Sequence, residues 1–286
     1  MGRVVDLTNM DANEVLALYD AEMRRDAPVD AGYHLEHRGT VVRMDGPRQR
    51  FILYSRPSPD DAAVLVEEQL RDLRTHGGEL EWKIYSHDLP ANLPELLRGA
   101  GFRPDPAETL MVLDLKDHVP IGPHPEGLEV RRVRDEAGLS DAIAVGNAAF
   151  GRDDGSVRAH AEGRLNDPRV GLFVAYLHGV PVSTGRVELP ERRSFASIWG
   201  GGTRAEYRRL GIYRALVSVR ASLARDSGFR FLTVDARDAT SRPILERVGF
   251  TPLAGIVGWI LTAPFPADSP ASISAVDASA PGGSAA

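Results

Sequence analysis

The sequence predicts an α/β (α+β) protein in which two similar domains each hold a mixed central sheet flanked by helices. Short apolar runs of strand length alternate with amphipathic helical segments through both halves of the 286-residue chain. A second observation is an internal repeat, because Leu96–Pro104 resembles Ile244–Pro252 and Gly-Phe ends a helix in each copy. The elements before the two segments follow in the same order, and the length suits two ordinary domains.

Apolar spacing and turn residues define the elements of the first half. On a helix predicted over residues 61–75, Val66, Leu70 and Leu73 form one apolar face. A hairpin signal at Asp45-Gly46-Pro47 separates two strands. The predicted elements are a helix at 11–24, strands at 40–44 and 50–55, the helix at 61–75, a strand at 80–85, a helix at 93–98 and a strand at 109–115.

The second half repeats this order, with added helical segments after its first strand. His178 and Gly179 mark a hairpin, and Pro243 suits the first turn of a helix capped by Thr240 or Ser241. The predicted elements are a strand at 128–133, helices at 135–150 and within 156–166, strands at 170–176, 180–189 and 195–203, a helix at 211–226, a strand at 229–235, a helix from about 241 to 249 and a strand at 256–261.

The residues between the two halves favour a linker. The stretch 119–125 is rich in Pro, with Gly and His, and has no apolar period. We therefore predict domains at 1–118 and 126–264, joined by this linker. From residue 265 the chain consists mainly of Pro, Ala, Ser and Gly, which cannot bury a core, so 265–286 is predicted to be a disordered tail.

Composition excludes several function classes. The net charge of −6 argues against a general nucleic-acid binder. The absence of cysteine removes disulfides, thiolate nucleophiles and thiolate metal sites, and this fits a cytoplasmic protein. No apolar run approaches the roughly 20 residues of a membrane span, and the acidic N-terminus does not resemble a signal peptide. We expect no nucleic-acid or membrane partner and no metal, and the sequence leaves the oligomeric state open.

One stretch, 206–216, has the pattern of an anion site. The strand Phe195–Thr203 leads into a basic loop at Arg208–Gly211, and an amphipathic helix follows from Ile212. The start of a helix presents unpaired N–H groups and the positive end of its dipole. This order predicts a site for a phosphorylated cofactor, with a pyrophosphate as the best fit.

The internal repeat limits this site to the second half. When the two copies are aligned, Ser58-Pro59-Asp60-Asp61 falls where the second half has Arg208–Gly211. Two acids would repel an anion, and Pro59 has no N–H to donate. We therefore expect the first copy to be structural or to shape the substrate site.

These residues resemble a known family, the GNAT superfamily of acyl-CoA N-acyltransferases. Arg208-Arg-Leu-Gly-Ile-Tyr213 is similar to its motif A, (Gln/Arg)-x-x-Gly-x-(Gly/Ala). Ala236–Phe250 resembles the motif B helix and the Gly-Phe that follows it. The resemblance covers about residues 126–264, and the first half resembles a GNAT fold without its cofactor loop. The whole chain is similar to tandem GNAT proteins with one degenerate copy.

The resemblance implies that acetyl-CoA or another acyl-CoA is the co-substrate and lies between diverging strands at 195–203 and 229–235. It implies that backbone groups of Gly201 and Thr203 hold the pantetheine arm. The Arg208 side chain would add charge-assisted bonds to the phosphates. N–H groups would cradle the pyrophosphate along the run Arg209, Leu210, Gly211, Ile212 and Tyr213, and motif B would contribute Asp238 and Ser241.

The sequence departs from the family pattern in several places. Tyr213 stands where motif A has Gly or Ala, and Asp238 stands where motif B often has Asn. Leu245 replaces a Tyr that often protonates the CoA thiolate, so the proton comes from Tyr213, Ser197 or a water, or the thiolate leaves without one. The run Gly200–Gly202 is unusual for this strand. It either widens the acyl pocket, lets the backbone approach the thioester closely, or marks a β-bulge.

The expected reaction is direct attack of a primary amine, of a small molecule or a peptide, on the bound thioester in a ternary complex. An N–H within 199–203 is the expected oxyanion donor, and Glu188 is the first candidate for the base. Glu206 and Asp235 are weaker candidates, since each stands near arginines that can pair with it. Acids at Asp153, Asp154 and Glu162 could attract a cationic amine. The alternative function is a non-catalytic acyl-CoA sensor or regulatory protein.

Overall fold

The computed structural model describes residues 10–29, 32–46, 49–116, 124–151, 155–161 and 163–264. Most of the predicted linker 119–125, the whole predicted tail 265–286 and the acids Asp153, Asp154 and Glu162 lie outside the described residues. The chain divides into two compact units. The C-unit comprises Thr109–Leu253 with the residues up to Leu16, and the N-unit comprises Ala17–Glu108 with the residues from Ala254.

Helices and strands alternate along the chain. The α-helices are α1 (Ala12–Tyr19), α2 (Ala62–His76), α3 (Leu93–Gly99), α4 (Glu136–Phe150), α5 (Ser156–Ala161), α6 (Ile212–Asp226) and α7 (Arg242–Arg247). The strands are β1 (His34–Arg38), β2 (Val41–Asp45), β3 (Gln49–Ser55), β4 (Gly78–Tyr85), β5 (Arg103–Pro104), β6 (Glu108–Asp114), β7 (Leu128–Arg132), β8 (Val170–Leu177), β9 (Val180–Glu188), β10 (Phe195–Thr203), β11 (Phe231–Arg237) and β12 (Thr251–Ala263). Within the described residues, no helix is both long and apolar enough to cross a membrane.

The C-unit is built on a mixed sheet with the strand order β6-β11-β10-β9-β8-β7. Strands β10 and β11 are parallel, and the strands from β10 to β7 pair antiparallel. The helix α6 connects the parallel pair, and Leu216, Val217 and Ala221 on it are fully buried in the main core of the unit. This β-α-β connection places the start of α6 after the carboxyl end of β10.

The N-unit repeats this arrangement with the strand order β1-β2-β3-β4-β12. Its parallel pair is β3 and β4, connected by α2. Ile52 and Trp82 are paired in register and fully buried, and Leu70 and Leu73 of α2 pack against the same core. The indole of Trp82 donates to Ser55 Oγ at 3.0 Å, which satisfies its only polar group.

The two compact units do not have the boundaries of the two domains predicted from the sequence. The strand β6 follows the first copy along the chain but pairs with β11 in the C-unit, while β12 follows the second copy and pairs with β4 in the N-unit. The C-unit therefore ends at Leu253, and the segment 126–264 is not one compact unit. Sequence order shows which strand comes last in a copy, but not which sheet it joins.

The fold class and the order of the elements are confirmed, and the strand predicted at 195–203 has the same bounds in the structure. Two features of the N-unit differ from the predictions. The residues after α1 form a π-helix at Asp20–Arg25, where one helix had been predicted over 11–24. The strand β1 was missed, because His34–Arg38 contains one apolar residue in five and lies at an edge.

Candidate active site

The parallel strands β10 and β11 separate soon after they pair. Their register covers three positions, from Phe195 opposite Phe231 to Ser197 opposite Thr233. Beyond Ser197, β10 stays paired with β9 on its other side through Ile198, Trp199, Gly202 and Thr203. Strands that diverge in this way leave backbone N–H and C=O groups facing the gap, and these groups can bind an extended ligand.

A β-bulge and three glycines shape β10 at this gap. The register with β9 shifts between Trp199 and Gly202, so that one extra residue is accommodated. Gly200 takes a left-handed conformation with φ of 58°. A Cβ on Gly202 would lie 2.8 Å from the Cβ of Ala149, so this glycine permits close approach of α4. The bulge that the sequence offered as one of three explanations is therefore present.

Gly201 serves a different neighbour, the ring of Tyr213. A Cβ built on Gly201 would lie 2.8 Å from Cε2 of Tyr213, which is closer than real Cβ contacts. The ring is half-buried and packs against the main core of the C-unit. The bulky Tyr213 in motif A therefore fits because Gly201, which faces it in β10, has no side chain. The two departures from the family motif are thus related.

The loop between β10 and α6 presents backbone donors. Arg209 has φ of 67° and Gly211 has φ of 84°, so the chain turns sharply just before Ile212. No side chain among the described residues caps the start of α6. Arg209 and Leu210 are exposed. The end of the loop is therefore exposed, and a helix start without a side-chain cap can offer its first N–H groups to an anion.

The Arg208 side chain, which the sequence predicts to bind the phosphates, is hydrogen-bonded to two main-chain carbonyls. Its Nε donates to the carbonyl of Thr203 at 3.0 Å, and its Nη2 donates to the carbonyl of Ala149 at 3.1 Å. These bonds tie the loop to the end of β10 and to the end of α4. Ser183 Oγ lies 2.8 Å from Thr203 Oγ1 and from the carbonyl of Gly202, which fixes the strand on its β9 side.

Glu188, the predicted base, lies at the end of β9 opposite Ser197. Its carboxylate accepts a hydrogen bond from Nε of Arg186 at 2.9 Å, and the two side chains are 20% and 18% exposed. The Arg186 guanidinium lies 5.9 Å from the centre of the Trp199 ring. Glu188 is therefore near the point where β10 and β11 separate, but it already has a cationic partner.

On this face of β9 and β10, an apolar cleft lies between the sheet and α5. Arg186 and Trp199 contribute its polar wall, and Gly200 of the bulge opens onto it. The other lining residues include Val157 and Ala161 of α5 with Val170 and Leu172 of β8. The cleft has room for little more than one water molecule.

The motif B residues occupy the far side of the gap. Asp238 accepts a hydrogen bond from Thr109 Oγ1 at 2.6 Å and lies 3.4 Å from Nη1 of Arg242. Ser241 precedes α7, and its carbonyl accepts the amide of Leu245 at 3.0 Å. Leu245 is fully buried in the core, so this position faces away from the gap. Asp238 is thus engaged within the C-unit, in contacts that sequence reasoning missed.

A fully buried guanidinium, Arg220, is the main residue that sequence reasoning missed. It lies two turns after Tyr213 on α6, and its charge gave no signal among the many arginines of the chain. Its Nε donates to the carbonyl of Leu216 at 3.1 Å, and its Nη1 donates to the carbonyl of Arg186 at 3.2 Å. Burial lowers the pKa of Arg220, and the nearby Tyr213 phenol opposes this shift. Arginine stays protonated in proteins, so the buried guanidinium is a cation.

The first copy lacks an open cradle at the matching position. In the N-unit, Ser58 Oγ donates to the Asp61 carboxylate at 2.6 Å, just before α2 begins at Ala62. An acidic side chain therefore stands before the helix that corresponds to α6. This arrangement agrees with the electrostatic argument made from the sequence.

Other candidates have simpler explanations. His178 occupies the turn between β8 and β9 with φ of 49°, as expected for a turn residue. In the part of the chain that the structure describes, no group of three or more His, Asp or Glu side chains is placed to hold a metal ion.

The comparisons with known proteins agree with this geometry. Residues 143–250 match the model of the acetyltransferase (GNAT) family. Among solved structures, the chain is similar to a GCN5-related N-acetyltransferase from Kribbella flavida, with a TM-score of 0.67 and 16% identity over 93% of this chain and 99% of that one. A GCN5-related N-acetyltransferase from Sphaerobacter thermophilus gives a TM-score of 0.60 and 19% identity, covering 91% and 89%.

The two-copy organisation also has a structural counterpart. A tandem GNAT protein from the clavulanic acid biosynthesis pathway gives a TM-score of 0.56 and 14% identity, covering 91% of this chain and 98% of that one. None of the curated proteins matches the chain. At these identities the structural likeness shows the fold, while the family match applies to residues 143–250. That segment contains the bulged strand, the helix α6 and motif B, and it is this part of the chain, residues 143–250, that matches the acetyltransferase (GNAT) family.

Proposed function

We propose that the protein transfers an acetyl group from acetyl-CoA to a primary amine of a small molecule or peptide, by direct attack in a ternary complex. The observation that carries the proposal is the separation of β10 from β11 after Ser197, next to the uncapped start of α6. A gap lined by backbone suits the pantetheine arm, and a helix start with free N–H groups suits a pyrophosphate.

In this proposal the residues of the loop and of motif B bind different parts of acetyl-CoA. N–H groups from Arg209 to Tyr213 bind the pyrophosphate, and backbone groups of Gly201 and Thr203 bind the pantetheine. Asp238 and Ser241 border the gap from the other side. Arg208 acts on the loop through its bonds to the Thr203 and Ala149 carbonyls. The first copy, with its acidic residues at Asp60 and Asp61, binds no acyl-CoA.

The chemistry needs a neutral amine near the thioester carbonyl and a donor for the oxyanion. The bulge at Trp199–Gly202 turns a backbone N–H of β10 out of its regular pairing, which makes it the proposed oxyanion donor. Glu188 is the proposed base and takes the proton of the amine, directly or through water. The Arg186 partner orients its carboxylate.

Thiol release measures this reaction directly. Acetyl-CoA is mixed with the full chain and with spermidine, tobramycin, L-lysine or a lysine-containing peptide, and free CoA is titrated with a thiol reagent. Release that depends on one of these amines supports the proposal. Binding of acetyl-CoA without release with any acceptor would instead favour a sensor or regulatory protein.

Glu188→Gln tests the base. We expect turnover to fall by about 10²–10⁴-fold, the range for loss of a general base, with acetyl-CoA affinity nearly unchanged. Glu129→Gln is a matched control, because Glu129 also accepts a hydrogen bond from an arginine two residues away on a strand. Unchanged turnover in Glu188→Gln would remove this residue from the mechanism.

A further inference from the structure

Arg220 carries a charge that nothing in the described structure neutralises. Its side chain has no exposed surface. Two of its nitrogens donate to main-chain carbonyls, while Nη2 is buried and has no hydrogen-bond partner. No carboxylate of the described residues forms an ion pair with it. A buried charge without a counter-charge is costly and is seldom retained unless it has a use.

The surroundings of this charge point to β10. A Cβ on Gly185 would lie 2.8 Å from Nη1 of Arg220, so the guanidinium lies directly against β9. A Cβ on Gly201 would lie 3.3 Å from the Tyr213 hydroxyl oxygen and 3.4 Å from Nη2 of Arg220. The phenol and the unpartnered nitrogen therefore converge on one point of β10, within the bulge.

This convergence has a chemical consequence for the reaction proposed above. When an amine attacks a thioester, the sulfur departs with the electron pair of the C–S bond and needs a proton. The usual tyrosine position on α7 is taken by Leu245, which is buried in the core. Tyr213 is a phenol beside the bulge, and a buried cation stands next to it.

We propose that Arg220 is a positioning residue for Tyr213. It holds the phenol against the bulge of β10 and balances the negative charge that the phenol oxygen gains when it gives its proton to the departing CoA sulfur. The inference rests on the proposed function, since it concerns the leaving-group step of the same reaction.

The step balances without any further reactant. The amine nitrogen forms a bond to the thioester carbon, and collapse of the tetrahedral intermediate breaks the C–S bond. The Tyr213 O–H bond breaks while the S–H bond forms. The proton removed from the attacking amine then returns through water to the phenolate, so that one amine and one thioester give one amide and one thiol.

A double-mutant cycle in the thiol-release assay tests the inference. We expect Arg220→Met and Tyr213→Phe each to lower kcat by about 10–100-fold with the acetyl-CoA KM changed less than threefold. The double variant should be no slower than the slower single variant, because both changes disable the same step. Arg225→Met is the control on α6, since Arg225 pairs with Asp226 on the exposed side. Multiplying effects, or a wild-type kcat in Tyr213→Phe, would overturn the inference.

A binding measurement tests the charge without any acceptor. CoA and desulpho-CoA are titrated calorimetrically at pH 7 and pH 9 into wild type and into both variants. If Arg220 acts at the sulfur through Tyr213, the preference for CoA over desulpho-CoA should rise at least threefold with pH in the wild type and stay constant in Arg220→Met. An equal rise in both proteins would contradict the inference.

The two failures can be told apart. Absence of amine-dependent thiol release in the wild type would count against the proposed function itself. Release in the wild type together with an unchanged kcat in Arg220→Met would count against the inference alone. If Arg220→Met does not fold, Tyr213→Phe decides, because it removes only the hydroxyl and keeps the ring that packs on Gly201.

Discussion

The fit between Gly201 and Tyr213 gives a prediction that depends on geometry alone. In Gly201→Ala the new methyl group would lie 2.8 Å from Cε2 of Tyr213. Favourable carbon contacts lie at about 3.5–4.0 Å, so the ring has to retreat by roughly 0.7–1.2 Å. The ring packs against the main core of the C-unit, and Nη2 of Arg220 lies 3.4 Å from the position of the new methyl group, so little room exists for this movement.

The expected cost follows from this crowding. An added methyl group in a well-packed site destabilises a protein by about 1–3 kcal/mol. For a unit of this size that corresponds to a decrease in melting temperature of roughly 2–12 °C. Thermal unfolding of the full chain, followed by near-UV circular dichroism, measures the change in the transition of the C-unit.

The same substitution in a variant without the Tyr213 ring shows whether that ring causes the destabilisation. In Tyr213→Ala the ring is absent and Nη2 of Arg220 is next nearest at 3.4 Å, an ordinary contact distance, so adding Gly201→Ala should cost less than about 0.5 kcal/mol. Gly99→Ala serves as the control, because a Cβ there meets no atom within 4 Å and the residue lies in a helix, where Ala is favoured. An equal penalty for Gly201→Ala in both backgrounds would refute the explanation offered for this glycine.

Two further predictions concern the two units separately. Burial alone would raise the pKa of Asp20, but hydrogen bonding by His87 and the charge of Arg24 outweigh it and lower the pKa. The ionised Asp20 therefore stabilises the fold above the ordinary carboxyl pKa of about 3.9, and this stabilisation is lost as the pH falls through the lower pKa of the folded state. The difference in Tm between wild type and Asp20→Asn should consequently shrink below about pH 4. A constant difference from pH 3 to 6 would contradict this assignment. Thr109→Val removes the 2.6 Å hydrogen bond to Asp238 and should lower the stability of the C-unit by about 1–2 kcal/mol in thermal unfolding. A change confined to the unfolding of the N-unit would argue against the place of β6 in the C-unit sheet.

The sequence predicted the parts of this protein that local patterns encode. The spacing of Ile212, Ala215 and Leu216 marked the helix α6, and the turn residues around His178 marked a hairpin. The loop Arg208–Gly211 was correctly placed at a helix start, because Gly and basic residues there have a direct electrostatic meaning.

Features that depend on tertiary contacts could not be predicted from such local patterns. Nothing in the order of the strands shows that β6 and β12 exchange sheets, since pairing is decided by which edges meet. The Arg208 side chain was expected beside phosphate, but two carbonyls compete for it. Arg220 appeared as one arginine among many, because only burial distinguishes it.

Calorimetric titration of the full chain with acetyl-CoA tests the central claim most directly. If the C-unit binds the co-substrate and the acidic first copy does not, saturation occurs at one acetyl-CoA per chain, CoA binds with the same stoichiometry, and ATP does not compete at equal concentration. Two equivalents per chain would show that the first copy also binds. No heat of binding with acetyl-CoA or CoA would contradict the assignment of the gap between β10 and β11 as an acyl-CoA site.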